Sequence, residues 1–226
     1  QINEANRGFS FKKDGPLDMR MSQKGVTAAD IINNASQEEL ADIIYYYGEV
    51  RAARAIAKAI IVERAKNEIV RTDHLAAIVK SVFKRTNFKS RKKTNPCTLT
   101  FQALRIAVND ELEELNSGLL AAEKLLEAGA VLAVVSFHSL EDRLVKQFIK
   151  SRSKCYAGKS RYLPDTNVFS PTFKELLNKV VRPDDEEISV NPRARSAKLR
   201  IAMKLHSKND QDKSQIKFPK VKFFSG

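Results

Sequence analysis

Ala130-Val131-Leu132-Ala133-Val134-Val135 is apolar without a break and has the length of a strand rather than of a helix. A run apolar on both faces reads as an interior parallel strand covered by helices. Gly129 stops a helix expected over Leu119 to Ala128 just before it. Just after it, Ser136, Phe137 and His138 lead into Ser139, a candidate N-cap with Asp142 three residues on, for a helix to about Lys150. Helix, buried strand, loop, helix is α/β grammar, and ligands in open α/β sheets bind outside the carboxyl ends of strands. Ser136, Phe137, His138 and Ser139 stand at such an end.

Upstream of that strand, Thr100 to Asn116 reads as a helix with an acidic C-terminal half, and residues 27 to 83 read as helical throughout. Ser36-Gln37-Glu38-Glu39 is a capping box opening a segment whose Leu40, Ile43, Ile44 and Tyr47 share a face, and Gly48 ends it. From Glu49 to Lys66, Ile56 and Ile60 share one face, while Arg51, Arg54 and Lys58 recur at offsets of three and four. Thr72 starts a further helix through Leu75, Ile78, Val79 and Val82. Downstream, residues 152 to 187 are polar and proline-punctuated, a long excursion with at most one short helix, and Ala197 to Leu205 reads as a final strand. The lysine-rich tail from Lys208, with Phe218, Phe223 and Phe224, reads as disordered or ordered by substrate.

With 226 residues and 42% hydrophobic content the chain can bury a core. Cys97 and Cys155 lack C-x-x-C spacing, so neither a zinc site nor a disulfide framework is suggested, and a reducing cytoplasm fits. No metal is called for. No apolar run approaches the ~20 residues of a membrane span. The formal charge of +13 is spread unevenly: Lys84, Arg85, Lys89, Arg91, Lys92 and Lys93 surround Phe88 with no acid among them. That segment reads equally as a solvated loop or as a phosphate-binding one whose aromatic stacks on an unpaired base. The Arg51, Arg54, Lys58 stripe has the same two readings, solubility or phosphate contact.

Arg7-Gly8-Phe9-Ser10-Phe11-Lys12-Lys13-Asp14-Gly15-Pro16-Leu17-Asp18-Met19-Arg20-Met21 reads as a site rather than a helix. Its glycines allow close backbone approach and Gly15-Pro16 fixes a turn. Polar groups set among aromatic and thioether side chains suit a nucleobase or cofactor. Asp14 equally reads as the builder of its own turn, and Asp18 as the partner of Arg20.

This stretch, followed in order by Thr100-Phe101-Gln102-Ala103-Leu104-Arg105-Ile106-Ala107-Val108-Asn109, Val135-Ser136-Phe137-His138-Ser139-Leu140-Glu141-Asp142-Arg143 and Asn191-Pro192-Arg193-Ala194-Arg195-Ser196, resembles the ribosomal RNA small subunit methyltransferase H family, also called RsmH or MraW. The resemblance runs from Gln1 to about Leu205. It implies a Rossmann-like class I S-adenosylmethionine-dependent methyltransferase fold of the α/β class with an inserted α-helical domain. The expected layout is an α/β domain over 1–20 and 96–205, an inserted helical RNA-binding domain over 21–95, and a basic tail over 206–226. The implied reaction moves a methyl group from S-adenosylmethionine to the exocyclic N4 of a cytidine in small-subunit (16S) ribosomal RNA. Members begin with a strand and a glycine-rich turn for the cofactor. This sequence has eight glycines and no G-x-G-x-G, so it reads as the C-terminal two thirds of such a protein, its N-terminal strands absent.

The resemblance aligns Gln1 with a cofactor-binding glutamine. Phe9 and Phe11 are expected to stack on the adenine or a flipped base, with Ser136 beside the cofactor. A cytosine amine is a poor nucleophile, so its site must accept its N–H bonds and hold it in line with the sulfonium. Asp14 and Asp18 are the candidate acceptors, and His138 orients the base, helps carry away a proton, or is a structural donor. Candidate RNA contacts are Arg20, Arg51, Arg54, Lys58, Lys89, Arg91, Lys92, Lys93, Arg193 and Arg195. The two last, if extended, project to one side and clamp phosphates with Arg143, or pair internally with Glu141 or Asp142. Expected partners are small-subunit ribosomal RNA or the small subunit itself. A homodimer, a separate N-terminal chain, and a non-catalytic RNA-binding remnant are the alternatives.

Overall fold

The computed structural model describes residues 4–86, 95–153, 170–177 and 179–206. Expectations that fall on Gln1, on Phe88 and the cations from Lys89 to Lys93, and on the tail beyond His206 lie outside the described residues. The chain divides into two compact units, one ending at Glu111 and the other opening at Leu112.

The first unit is helical. Helix α1 (Ala28–Asn34) opens with a capping box: Thr27 Oγ1 accepts from the Asp30 amide at 3.0 Å, and Asp30 accepts from the Thr27 amide at 2.8 Å. Ser36 and Glu39 repeat the device for α2 (Gln37–Asp42), as the spacing predicts. The helix then widens into a π-helical segment, Ile43–Tyr47. Gly48 follows, and a Cβ there would lie 2.7 Å from the Ile44 carbonyl and 2.8 Å from that of Leu99, so only glycine lets this segment press on α5 (Pro96–Asn109). Between them lie α3 (Ala53–Arg64) and α4 (Thr72–Thr86). Ile31, Ile32, Leu40, Ile43, Ile44, Ile56, Ile60 and Val79 are fully buried. Each such side chain contributes roughly 1.5–3 kcal/mol by leaving water.

The stretch 14–20 is hydrogen-bonded to the helical elements of the first unit: Leu17 N–H donates to Val70 O, and the amides of Thr72, Ala28 and Ala29 donate to the carbonyls of Gly15, Asp18 and Leu17. Helix α5 also packs in this unit, with Phe101, Ala103, Leu104 and Ile106 buried. The long helix expected over Thr100 to Asn116 is broken at Asp110, whose φ of 51° lies in the left-handed region. An acidic run gives no sign of that turn, since Asp reaches it without glycine.

Past the break come α6 (Glu111–Leu125), β1 (Val131–Ser136), α7 (Ser139–Ser153), β2 (Phe173–Glu175), α8 (Asp185–Val190) and β3 (Lys198–Lys204). The sheet order is β1-β3-β2. Both pairings are antiparallel, with Val131 opposite Met203 and Phe173 opposite Lys204. The apolar run is therefore a strand, as expected, but it pairs antiparallel and at an edge of the described sheet, with Val131, Ala133 and Val135 exposed. A continuous apolar run records that both faces suit cover and carries no information on strand direction. β2 gave no signal, being three residues with a lysine at its centre. Helix α7 packs on the sheet through Leu144, Val145, Phe148 and Ile149, and the Phe148 and Phe173 rings lie 5.9 Å apart.

Candidate functional site

Within the first unit, the stretch from Arg7 to Met21 is a tightly closed loop. Gly8 (φ 70°) and Gly15 do permit close approach, but the approach is to the chain itself. A Cβ on Gly8 would lie 2.8 Å from the Asp18 amide, and one on Gly15 would strike the Ala5 carbonyl. Asp14 makes an ion pair with Arg71 and also accepts from Thr72 Oγ1 at 3.4 Å and the Asp73 amide at 3.3 Å. The Arg71 hydrogen bond, foremost among these, holds its carboxyl below the usual range. Asp18 accepts from Arg20 Nε at 2.9 Å, from its terminal guanidinium nitrogen at 2.8 Å and from its amide at 2.9 Å. That side-chain fork lowers Asp18 in turn. Both carboxylates are thus ionised acceptors at neutral pH, each already turned toward an arginine. Arg20 is correspondingly engaged with Asp18 and the Gly25 carbonyl (3.1 Å).

The aromatic residues of this loop divide. Phe11 stands edge-on to Phe101 at 5.2 Å, while Phe9 is half-buried with the Arg7 guanidinium 5.9 Å above its ring. Arg7 also donates to the Arg20 carbonyl at 2.6 Å. Met19, fully buried, adopts a φ of 63°, unusual for a side chain of its size. Asn109 fastens the backbone around it, donating to Met19 O at 2.8 Å and accepting from the Met21 amide at 2.7 Å. Asn109, Arg71 and Thr72 are the positioning residues that sequence reasoning did not single out. Asn109 closes a quoted motif, and that was the available signal.

Within the second unit, the corner after β1 is organised by Glu141. Its carboxylate accepts from the amides of Phe137 (2.8 Å) and His138 (3.2 Å), while the Glu141 amide donates to His138 Nδ1 at 3.3 Å. This is a capping box with histidine as the cap, in place of the expected Ser139 and Asp142. Nε2 of the same ring lies 3.3 Å from Glu141 Oε1. Burial works to raise the Glu141 carboxyl, and the hydrogen bonds from His138 and the two amides outweigh it, leaving it below the ordinary range. Ser136 is buried, its hydroxyl toward the Lys198 carbonyl at 3.4 Å. Phe137 is exposed.

Asp142 pairs with Lys198 (3.2 Å) and Arg200 (2.8 Å), not with Arg193 or Arg195. Those two arginines lie in a 3-10 turn, Pro192–Ser196, where residues two apart diverge, so the expected common projection does not form. Both are exposed. In the first unit, Arg54 and Lys58 are exposed four residues apart on α3, and Arg51 is exposed in the turn before it.

The chain belongs to the MraW methylase family, whose sequence model matches residues 1–205. It is similar to a protein of Cereibacter sphaeroides named ribosomal RNA small subunit methyltransferase H, at 52% identity over 204 residues, or 90% of this chain and 61% of that protein. Proteins of the same name from Roseobacter denitrificans (52% identity, 90% of this chain, 61% of that protein) and Parvibaculum lavamentivorans (50%, 89% and 59%) are similar to it as well. The chain thus spans about 60% of the length of the curated relatives it matches.

Proposed function

We propose that the protein acts in S-adenosylmethionine-dependent N4-methylation of a cytidine in small-subunit ribosomal RNA, and that this chain supplies RNA-facing surface for that reaction in the cytoplasm. The observation that carries the reading is the 52% identity with a protein named for ribosomal RNA methylation, maintained over 90% of this chain. The strong positive charge supports it, since phosphate neutralisation supplies much of the affinity for RNA.

Two of the residues expected at the methyl donor are already engaged within their own unit. Phe11 is spent on Phe101, Ser136 on the Lys198 carbonyl, and the sequence lacks G-x-G-x-G. On the acceptor side, Asp14 is taken up by Arg71, Thr72 and Asp73, while Asp18 remains ionised and keeps a lone pair beyond the three bonds it accepts from Arg20. Asp18 can accept an N–H bond of a cytosine amine and so raise the electron density on the attacking nitrogen, and Asp14 can do so only by giving up one of its present donors. His138 holds the corner after β1 in one geometry rather than moving a proton itself.

The test incubates this chain with tritiated S-adenosylmethionine and small subunits from cells lacking the modification, then resolves nucleosides. Label in N4-methylcytidine upholds the reading. Tight subunit binding without label replaces it with the non-catalytic RNA-binding one.

A further inference from the structure

Tyr45 and Tyr46 are neighbours in sequence and both largely exposed, at 53% and 41%, although buried Ile43, Ile44 and Tyr47 flank them. Their rings meet edge to face, with centroids 5.2 Å apart and planes at 81°. They sit in the π-helical segment, a form that recurs at functional sites, and two residues later Glu49 takes a φ of 52°. Strain of that kind on a non-glycine residue persists only where surrounding structure holds it. The turn it makes brings Arg51 and Arg54 to the same side as the two tyrosines. Together with Asp42 these side chains line a concavity of about 390 Å³, in the range of small-ligand sites, ~300–1,000 Å³. Among the described residues, neither arginine has an acidic side chain as partner.

From this geometry we infer that the Tyr45–Tyr46 concavity binds one unpaired nucleotide of an RNA strand. A base stacks on the exposed tyrosine ring, its phosphates face Arg51 and Arg54, and Asp42 accepts from the N–H groups of its edge. Every base has a π-face, so stacking alone tolerates any of them. The carboxylate adds a preference. Guanine presents two adjacent N–H donors that match its two oxygens, whereas uracil presents one N–H between two carbonyls that a carboxylate repels. The chemistry of aromatic faces plus guanidinium forks favours nucleic acid over an acidic peptide, which has charge but no ring to stack. The inference rests on RNA being the partner and is independent of whether methyl transfer occurs.

The experiment measures fluorescence anisotropy of a labelled single-stranded oligouridine carrying one central guanosine, titrated with this chain and its variants. Replacing both exposed rings, Y45A/Y46A, weakens binding about tenfold, within the range of base–aromatic stacking. Y45F/Y46F, which keeps the rings, restores affinity. D42A removes the preference for the guanosine-containing strand over plain oligouridine while leaving the latter bound. The inference is overturned if Y45A/Y46A, with an unchanged circular dichroism spectrum, binds as the parent does, or if polyglutamate displaces the strand at matched charge. Failure of the parent chain to bind either strand overturns the RNA-facing reading together with this site. Absence of N4-methylcytidine alone touches only the proposed reaction.

Discussion

In the unit that ends at Glu111, the large side chains withdrawn from water are aliphatic, from Ile31 and Leu40 to Ile56 and Ile60. In the unit that opens at Leu112, the largest fully buried side chain is Arg152. Its guanidinium lies 3.9 Å over the Phe148 ring and donates to Glu123 at 2.5 Å. Glu123 also accepts from Thr172 at 2.6 Å, and its carbonyl accepts from Lys204 Nζ at 2.7 Å. Meanwhile Val131, Val135 and Phe137, the most apolar stretch by sequence, are each 55% exposed. Both units hold polar pairs between residues far apart, Asp14 with Arg71 in the first, but among the described residues only the second buries charged side chains, Arg152 and Lys204. Apolar pattern is a reliable guide to the inside of the first unit and a misleading one for the second.

The strongest way to break this contrast is E123A. It leaves the Arg152 guanidinium buried without its carboxylate, and loss of one partner of a buried pair costs about 4 kcal/mol. Urea denaturation followed by hydrogen exchange should show the loss confined to amides of α7, β2 and β3; a loss shared by α2 and α3 would dissolve the distinction. Next in size, I56A should remove about 3 kcal/mol from the helical unit through a cavity, with the protection of α7 unchanged. Smaller again, H138A should cost about 1 kcal/mol, as loss of a helix cap does, and should loosen the amides of Phe137 and Glu141.

Acid gives the same corner an independent test. Glu141 and Asp142 are both held below their ordinary values of 4.5 and 3.8. A lowered carboxyl stabilises fully above its unfolded value and loses that contribution as pH falls through the folded one. The melting of the second unit should therefore decline as pH drops below about 4.5, and E141Q should flatten that decline. The smallest effect belongs to V135T, expected to change stability by less than about 0.5 kcal/mol because the side chain is exposed. A large loss would mean that this face of β1 is covered in solution.

What could be read from the sequence followed local rules. The Ser36–Glu39 capping box and the strand at Lys198–Lys204 are written within a few residues and are found where expected, whereas the helix expected to run to Ala128 ends at Leu125, leaving Gly129 (φ 87°) in the turn beyond it. The His138 cap was hidden because histidine is not among the usual capping residues, so Ser139 drew attention instead. Gly15 was legible as a point of close approach, but not what approaches: the Ala5 carbonyl and Thr72 hydroxyl come from elsewhere in the chain. Asp14 and Asp18 were legible as charged groups in apolar company. That Arg71 would meet Asp14 depends on a contact between residues 57 apart, which periodicity does not record.

Asp142 meets Lys198 and Arg200 across sequence separations of 56 and 58 residues. Contacts of that span are slow to form, because a long loop must close before any of them stabilises the chain. During synthesis the capped helices of the first unit, whose caps need only near neighbours, can form while β1 still awaits its partner. Until β3 emerges, Val131 to Val135 remains an unpaired apolar strand, and this interval is when the growing chain is most exposed to aggregation.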